Sequence, residues 1–518
     1  MKIRLFVTFM LSLLLVALLG STRSPAATDS GAKISAHLTR TTFTAAQIGQ
    51  VKVIYRFSDT SRHFNYLLTR KSGNRWLTVV NSRSSWIRNS NGGKTGTGHF
   101  SGTHSLTIER VFYGFPVTLG RYRLLLSVDT GSRLLTFVVR GAPALTGATQ
   151  VVIGASHACA LMQSGRVKCW GDNGWHQLGS GASVDFSLTP VTVKGITTAT
   201  AISSGVYSNN TCALLASGRV SCWGDNDEGE LGNGTTTSRL RPVHVSGIAT
   251  ATQVSVGWYH ACALLADHTV SCWGRNGSGQ LGNGTTHDSH VPVQVAGITT
   301  ATQVSAGDWH TCALLQDHAI SCWGDGSVGQ LGDGTTTDSP TPAPVSNITT
   351  ATNIAAGGDH TCAVLSDHTV SCWGWNSYGQ LGDNKHDTWV CTSNCDDPPM
   401  EEGYWTTDAD SSTPVQASGI TTARKMAGGD EDSCALLSSG VVSCWGNGAG
   451  GALGNGTHVS SAMPIPVSGI TTATDISAGA NHACALLANT KVSCWGFNGS
   501  GELGNGTTTN SSTPVHVR

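Results

Sequence analysis

From residue 148 onward the chain is written in short beats. Runs of five or six residues rich in Val, Ile, Thr, Ala and Leu are separated by breaks rich in Gly, Asn and Asp. No stretch sustains a 3.6-residue apolar period, so the pattern predicts strands and turns rather than helices. One copy shows the order. Residues 251–257 read ATQVSVG, and Trp258-Tyr259 leads into His260 and ACALL. The turn Ala266-Asp267-His268 leads into TVSCWG at 269–274. Gly- and Asn-rich positions 275–284 precede Pro292-Val293-Gln294-Val295. Four strands per copy is the size of one propeller blade.

Cysteine marks the copies. Cys159 pairs in spacing with Cys169, Cys212 with Cys222, Cys262 with Cys272, Cys312 with Cys322, Cys362 with Cys372, Cys434 with Cys444 and Cys484 with Cys494. The first member recurs after 53, 50, 50, 50, 72 and 50 residues. A period near 50 means a propeller or a solenoid. The two cysteines of a copy flank a short odd turn, which sets them opposite one another on neighbouring strands, within reach of a disulfide. Seven bonds inside blades are expected. One further pair, Cys391 and Cys395, is expected as an eighth local disulfide rather than as half of a metal site.

The copies resemble the repeats of the regulator of chromosome condensation family, whose pattern is Gly-x-x-His-x-x-Ala-Leu, then Trp-Gly-x-Asn, then Gly-Gln-Leu-Gly. Here it stands at Gly257, His260, Ala263, Leu264, Trp273, Gly274, Asn276 and Gly279-Gln280-Leu281-Gly282. The resemblance spans roughly residues 145–518 and implies a seven-bladed propeller, matching the seven copies. The C-terminal strand Pro514–Val517 is expected to complete the first blade and so close the ring.

Ahead of the repeats, alternating strands are expected at 50–57, 64–71, 76–80, 105–110, 121–128 and 134–140. They read as a small immunoglobulin-like β-domain over 28–141, without cysteine. The fold class is therefore all-β: a seven-bladed β-propeller over 142–518, with an insertion near 383–412, and an N-terminal β-sandwich-like domain. Residues 1–27 read as a signal peptide. Lys2 and Arg4 precede the apolar run 5–19, and Ser24-Pro25-Ala26-Ala27 offers small residues for cleavage. A secreted or extracellular protein, with the cell surface as a further location, follows from this reading. Export supplies the oxidising setting that disulfides need, and no transmembrane span is expected once the signal is removed.

Charge refines this division. Residues 28–141 carry 16 Lys and Arg against four Asp and Glu, whereas 142–518 carry 12 against 28. The basic domain has no tight Lys/Arg run, and a spacer or attachment role is expected of it. The acidic propeller opposes nucleic-acid binding, which depends on neutralising phosphates.

Strand alternation sets the Gly-x-x-His loops and the loops after Trp-Gly on one rim. Side chains there that change from copy to copy are not required by the scaffold. They include Trp175, Tyr207, Trp258, Tyr259, Asp308, Trp309, Asp359, Trp375, Tyr378, Asp430 and Glu431, and Trp405 in the insertion. Aromatics beside carboxylates on a loop-built face suit recognition of a protein or a sugar. The His position (157, 260, 310, 360 and 482, with Asn210 and Asp432 in the other copies) reads as a hydrogen bond repeated blade by blade rather than as a metal site. The Gly277-x-Gly279-x-x-Gly282 string precedes no helix and is not a dinucleotide fingerprint.

No Ser/His/Asp set, paired carboxylate or metal motif stands out, so no catalytic residue, metal or cofactor is expected. The expectation is a secreted binding protein, monomeric, whose partner is an extracellular protein or a surface glycan. A lectin-like, wall-binding role is the alternative, with a secreted hydrolase behind it.

Overall fold

A computed structural model of the chain describes residues 144–387 and 409–518 in full, and strands alone within 34–140 and 389–405. The chain divides into two compact units, Met1–Gly141 and Ala142–Arg518. The expected signal segment lies outside the described residues.

Among the described residues of the first unit, eight strands form two sheets. One runs Ile34–Leu38, Lys52–Ser61, Phe100–Thr107. The other runs Thr42–Thr44, Gly131–Arg140, Gly120–Val128, Phe64–Ser72, Arg75–Ser84. Each of the six expected strands overlaps an observed one. The strand expected at 105–110 lies earlier, at Phe100–Thr107, where Ser, Gly and Thr resemble a turn in sequence. The short strands Ile34–Leu38 and Thr42–Thr44 are additions to the expectation.

The second unit is a seven-bladed propeller. In the third blade, Ala251–Val256 pairs antiparallel with His260–Leu265, that strand with Val270–Gly274, and that with Ser289–Gln294. The other six blades repeat this order. In every blade the two cysteines face each other in the register of the second and third strands, as Cys262 faces Cys272.

All seven expected pairs are disulfides. Cys159 is bonded to Cys169 and Cys212 to Cys222 in the first two blades. Cys262 is bonded to Cys272, Cys312 to Cys322 and Cys362 to Cys372 in the next three. Cys434 is bonded to Cys444 and Cys484 to Cys494 in the last two. Their Cα atoms lie 4.0–4.1 Å apart, because directly opposed strand positions leave no room for a longer bridge. Cys391 lies in the strand Trp389–Ser393, but its expected bond to Cys395 falls outside the described residues.

First strands of neighbouring blades contact each other around the axis. Side-chain amides bridge them: Gln253 Nε2 donates to the Val304 carbonyl at 2.9 Å, while the Val304 amide donates to Gln253 Oε1 at 3.0 Å. Fourth strands form the outer edges, half-buried or exposed along their length. Each carries Pro at the same place, namely Pro190, Pro242, Pro292, Pro342, Pro414, Pro464 and Pro514. Proline has no amide to leave unpaired on a free edge and discourages edge-to-edge association.

Blades are joined by their most buried side chains. The tryptophan of each Trp-Gly is almost fully inaccessible. Its indole donates to a carbonyl of the preceding blade, as in Trp323 Nε1 to Gln280 O at 3.0 Å. Gly282 has φ of +67°, and a Cβ there would sit 2.6 Å from Trp323 Nε1. The Leu-Gly step is thus glycine because the next blade's indole fills that space. The expected histidine bond also runs between blades. His260 Nε2 meets Thr311 Oγ1 of the next blade at 2.8 Å, and the Thr311 hydroxyl donates on to the Gln280 carbonyl at 3.1 Å.

The closure differs from the expectation. Ser511–His516 pairs with Val492–Gly496 as the outer strand of the seventh blade, and Phe186–Thr192 serves the first. Pro190-Val191 is the first copy's own Pro-Val strand, so no strand is left to share. The ring closes side by side, with Trp170 Nε1 donating to the Glu502 carbonyl at 2.7 Å and the Leu145 amide to the Val517 carbonyl at 2.8 Å. Leu145, Val151 and Trp170 pack in one cluster with Leu486, Val492 and Val517.

Candidate functional site

Within a blade the strands alternate in direction, so the loop from first to second strand and the connection from third to fourth emerge on the same rim. A contact across blades shows this directly. Arg275 follows the third strand of its blade and lies 5.9 Å from the centre of the Tyr259 ring and 4.8 Å from that of Trp309, both in Gly-x-x-His loops.

The rim has two halves. Blades two to four supply rings. Trp258 stacks on Tyr259 at 4.7 Å, meets Trp309 edge-on at 5.1 Å, and lies 5.3 Å from Tyr207. Each such pair is worth roughly 0.5–1.5 kcal/mol beyond burial, and a guanidinium over a ring adds about as much. The four rings therefore hold one another in place before any partner arrives, which lowers the ordering cost of binding. Beside them is a cleft of about 610 Å³, lined by Trp175, Tyr207, Trp258 and Tyr259 with Asp172, Asp225, Asp227, Glu228 and Arg275. Arg275 reaches Glu228 at 3.5 Å, and Trp175 is 46% exposed.

Blades four to six supply acids. Asp308, Asp359 and Asp430 stand in the loops between first and second strands of three successive blades, the last of which has Asp432 in place of the histidine. The Asp308 amide donates to the Gly358 carbonyl at 3.2 Å and the Gly358 amide to the Gly429 carbonyl at 2.9 Å. Burial holds Asp308 well above the usual carboxylate range, with Asp430 and then Asp359 adding to the effect. Burial, then Asp325, pushes Asp359 up to about 6. Asp430 is pushed up to about 7, chiefly by burial and against its bond from Tyr207, with Glu431 and Asp359 reinforcing the rise. Tyr207 joins the halves, because its hydroxyl donates to the Asp430 carboxylate from four blades away. Burial, and next that bond, raise the Tyr207 phenol.

Nine of the sequence-derived residues thus fall in these two halves or in the cleft: Trp175, Tyr207, Trp258, Tyr259, Asp308, Trp309, Asp359, Asp430 and Glu431. Trp375 and Tyr378 form a separate edge-to-face pair at 5.8 Å in the fifth blade. Glu431 raises the Tyr378 phenol most, followed by burial and then Asp430, which sets it toward the acidic half. Trp405 ends the strand Glu402–Trp405, which pairs with Trp389–Ser393 in the insertion, and its side chain lies outside the described residues. The cleft also takes in Asp172 and Asp225, which the sequence reading misses. Their signal is the position after Trp-Gly, where Asp172, Asp225, Arg275, Asp325, Trp375, Asn447 and Phe497 differ from copy to copy.

A seven-bladed propeller with a disulfide in each blade and one irregular rim defines the class of protein. Family comparison gives the kinship. An RCC1-like domain model matches residues 208–518, and an RCC1 repeat model matches 148–177. The chain belongs to the RCC1-like domain family. Among curated relatives, human HERC2, an E3 ubiquitin-protein ligase, is 36% identical over 116 residues, which are 22% of this chain and 2% of HERC2. The ultraviolet-B receptor UVR8 of Arabidopsis thaliana is 33% identical over 113 residues, 21% of this chain and 26% of UVR8. Both matches cover only a small part of the relative. Among solved structures, human WBSCR16 superposes with a TM-score of 0.57 at 23% identity, covering 68% of this chain and 94% of that one. Yeast RCC1 (Prp20), solved bound to Kap60, gives 0.56 at 20% identity, covering 72% and 85%. Those two structures share the fold.

Proposed function

We propose that this is an exported, monomeric binding protein that uses its irregular rim to recognise a protein outside the cell. The observation that carries the reading is the Tyr207–Trp258–Tyr259–Trp309 cluster. It is a pre-assembled, half-exposed aromatic patch on positions the propeller does not need, of the kind that dominates protein interfaces. Yeast RCC1 (Prp20), which shares the fold, was solved bound to another protein, Kap60. The signal-like first 27 residues and seven disulfides support export. The basic N-terminal unit is then a spacer or attachment module. The hydroxyl–histidine pairs at the foot of the rim loops, such as Ser433 Oγ with His360 Nε2 at 2.8 Å, are buried between blades, which supports a structural role for them.

The exposed Trp175 beside a carboxylate-lined cleft favours a second reading, a sugar stacked on the indole. Two parallel experiments separate them. The purified protein is used to capture partners from extracellular fluid, and is applied to a glycan array. A protein retained by the wild type and lost by Trp258→Ala/Trp309→Ala, with the melting temperature unchanged, supports protein recognition. Glycan binding lost in Trp175→Ala, without any protein retained, supports the second reading. Full retention of the partner by Trp258→Ala/Trp309→Ala contradicts the assignment of the rim.

A further inference from the structure

The acidic half of the rim holds an unbalanced group of charges. Asp308 is 4% exposed, and its Oδ1 is buried without a hydrogen-bond partner. Asp359 Oδ1 is likewise buried and unpartnered. Asp430 completes the set and acts electrostatically on both Asp308 and Tyr207. A buried carboxylate oxygen without a donor costs free energy unless the group is protonated or meets a cation. Among the described residues no Lys or Arg pairs with any of the three. Lys385 and Lys425 are engaged by Asp383 and Asp475, and Arg275 by Glu228. Residues 388–408 of the insertion contain no Lys or Arg at all.

Space has been kept for this group. Gly358 occupies the place that Trp258 and Asp308 take in the two preceding blades, and a Cβ there would lie 2.6 Å from Asp430 Oδ1. Glycine at this position lets the Asp430 carboxylate lie over the Gly358 backbone, toward Asp359 in the same loop. Trp309, next to Asp308 and stacked under Arg275, walls the group on the aromatic side. A metal ion does not fit this arrangement. Among the described residues no three His, Cys, Asp or Glu approach closely enough to hold one. A guanidinium or ammonium group on a flexible stem spans wider gaps, and its stem packs on rings.

Resting on the proposed role of this rim in protein recognition, we propose that Asp308, Asp359 and Asp430 form a socket for a single arginine or lysine side chain of the partner, so that the partner is basic at its point of contact. Asp359 and Asp430 line the socket and Asp308 is its floor. The groups facing it are Asp325, Glu431, the buried Asp432, Tyr207 and the neutral His310 and His360. None of these supplies positive charge, since burial lowers His310 to about 4 and His360 to about 3. Cation binding needs ionised carboxylates, and Asp359 and Asp430 sit near 6 and 7. Affinity therefore rises from about pH 5.5 to about 7.5.

The test uses the full chain and three peptides: acetyl-Gly-Arg-Gly-amide, its lysine counterpart, and the neutral citrulline counterpart. Binding is read by saturation-transfer NMR. Saturable binding of the arginine or lysine peptide in the millimolar range is expected. The citrulline peptide should bind at least about tenfold more weakly, and the charged peptide should weaken about tenfold or more at about pH 5.5. Asp359→Asn/Asp430→Asn should abolish the charged-peptide signal. Asp267→Asn, at an exposed hairpin turn on the opposite rim, should leave it intact and controls for folding. Equal binding of the citrulline peptide, or charged-peptide binding that survives Asp359→Asn/Asp430→Asn, overturns the proposal. So does saturable Ca²⁺ binding that is lost in that variant while no peptide binds, which would assign the socket to an inorganic cation. If no peptide binds but partner capture still depends on Trp258 and Trp309, the socket falls and the wider reading of the rim stands.

Discussion

At the scale of the residue, one hydroxyl decides what the repeated histidine does. His157, His260, His310 and His360 each face a Thr or Ser of the next blade, at 2.7–2.8 Å. Where that neighbour is Ala261, Ala483 or Ala158, the position holds Asn210, Asp432 or His482 and the bond is missing. Because the Thr311 hydroxyl donates to the Gln280 carbonyl, it must accept from His260 Nε2–H, which leaves Nδ1 bare. That matches its buried, unpartnered state. Burial lowers the imidazoles of His157, His260 and His360 to about 3 and those of His310 and His482 to about 4. These groups are depressed relative to the unfolded chain, so their contribution is intact above about pH 6.5 and is lost as pH falls toward the folded values. NMR titration should find all five neutral down to about pH 5, and a midpoint near 6.5 for any of them would contradict the packing described. Thr311→Ala should cost about 1–3 kcal/mol by stranding the His260 donor. His260→Asn in the same chain should recover little of that loss, since Asn210 opposite Ala261 also leaves its side-chain amide nitrogen buried without a partner. A chemical-denaturation cycle measures both.

At the scale of the element, the blade is a stapled hairpin with a half-exposed outer strand. Replacing Cys262 and Cys272 with alanine should lower stability by about 2–3 kcal/mol, the value for closing a short loop. Reductant should then have less effect on the variant than on the wild type. Gly282→Ala should also destabilise, because it places a methyl group against the Trp323 indole at a positive φ. The loss should show as a lower denaturation midpoint. Much of the blade is legible in the sequence. The step of ten between cysteines sets the hairpin register, and the Trp-Gly and Leu-Gly steps mark the joints. The ring closure is not legible. Every copy is followed by its own Pro-Val-like strand and none precedes the first, and that spacing alone does not say whether the last strand stays in the seventh blade or crosses to the first. The acidic half is legible only as a set of variable positions. That Asp308, Asp359 and Asp430 converge while Trp375 and Tyr378 stand apart depends on how loops from different blades curve toward the axis, and spacing along the chain does not carry that.

At the scale of the whole molecule, seven similar interfaces make a ring, and the closing one keeps the indole bond though it lacks the histidine–hydroxyl bond. Trp170 donates across the closing interface as Trp323 does within the ring. Trp170→Phe and Trp323→Phe should therefore destabilise by similar amounts, about 2–4 kcal/mol each, since each strands a buried carbonyl and leaves a cavity. A far larger loss at Trp170 would mean that closure is the weak point. The regular ring frees one rim to vary, and that rim divides into an aromatic half and an acidic half tied together by the Tyr207–Asp430 bond. The most direct test of this division of labour is the affinity for the captured partner of two sets of variants. Trp258→Ala/Trp309→Ala changes the irregular rim, and Asp267→Ala/Asp317→Ala/Asp367→Ala changes the hairpin turns opposite. The account predicts a loss of about 100-fold or more for the first set, as for interface hot spots, and no change for the second. Unchanged affinity in the first set together with a loss in the second would contradict it.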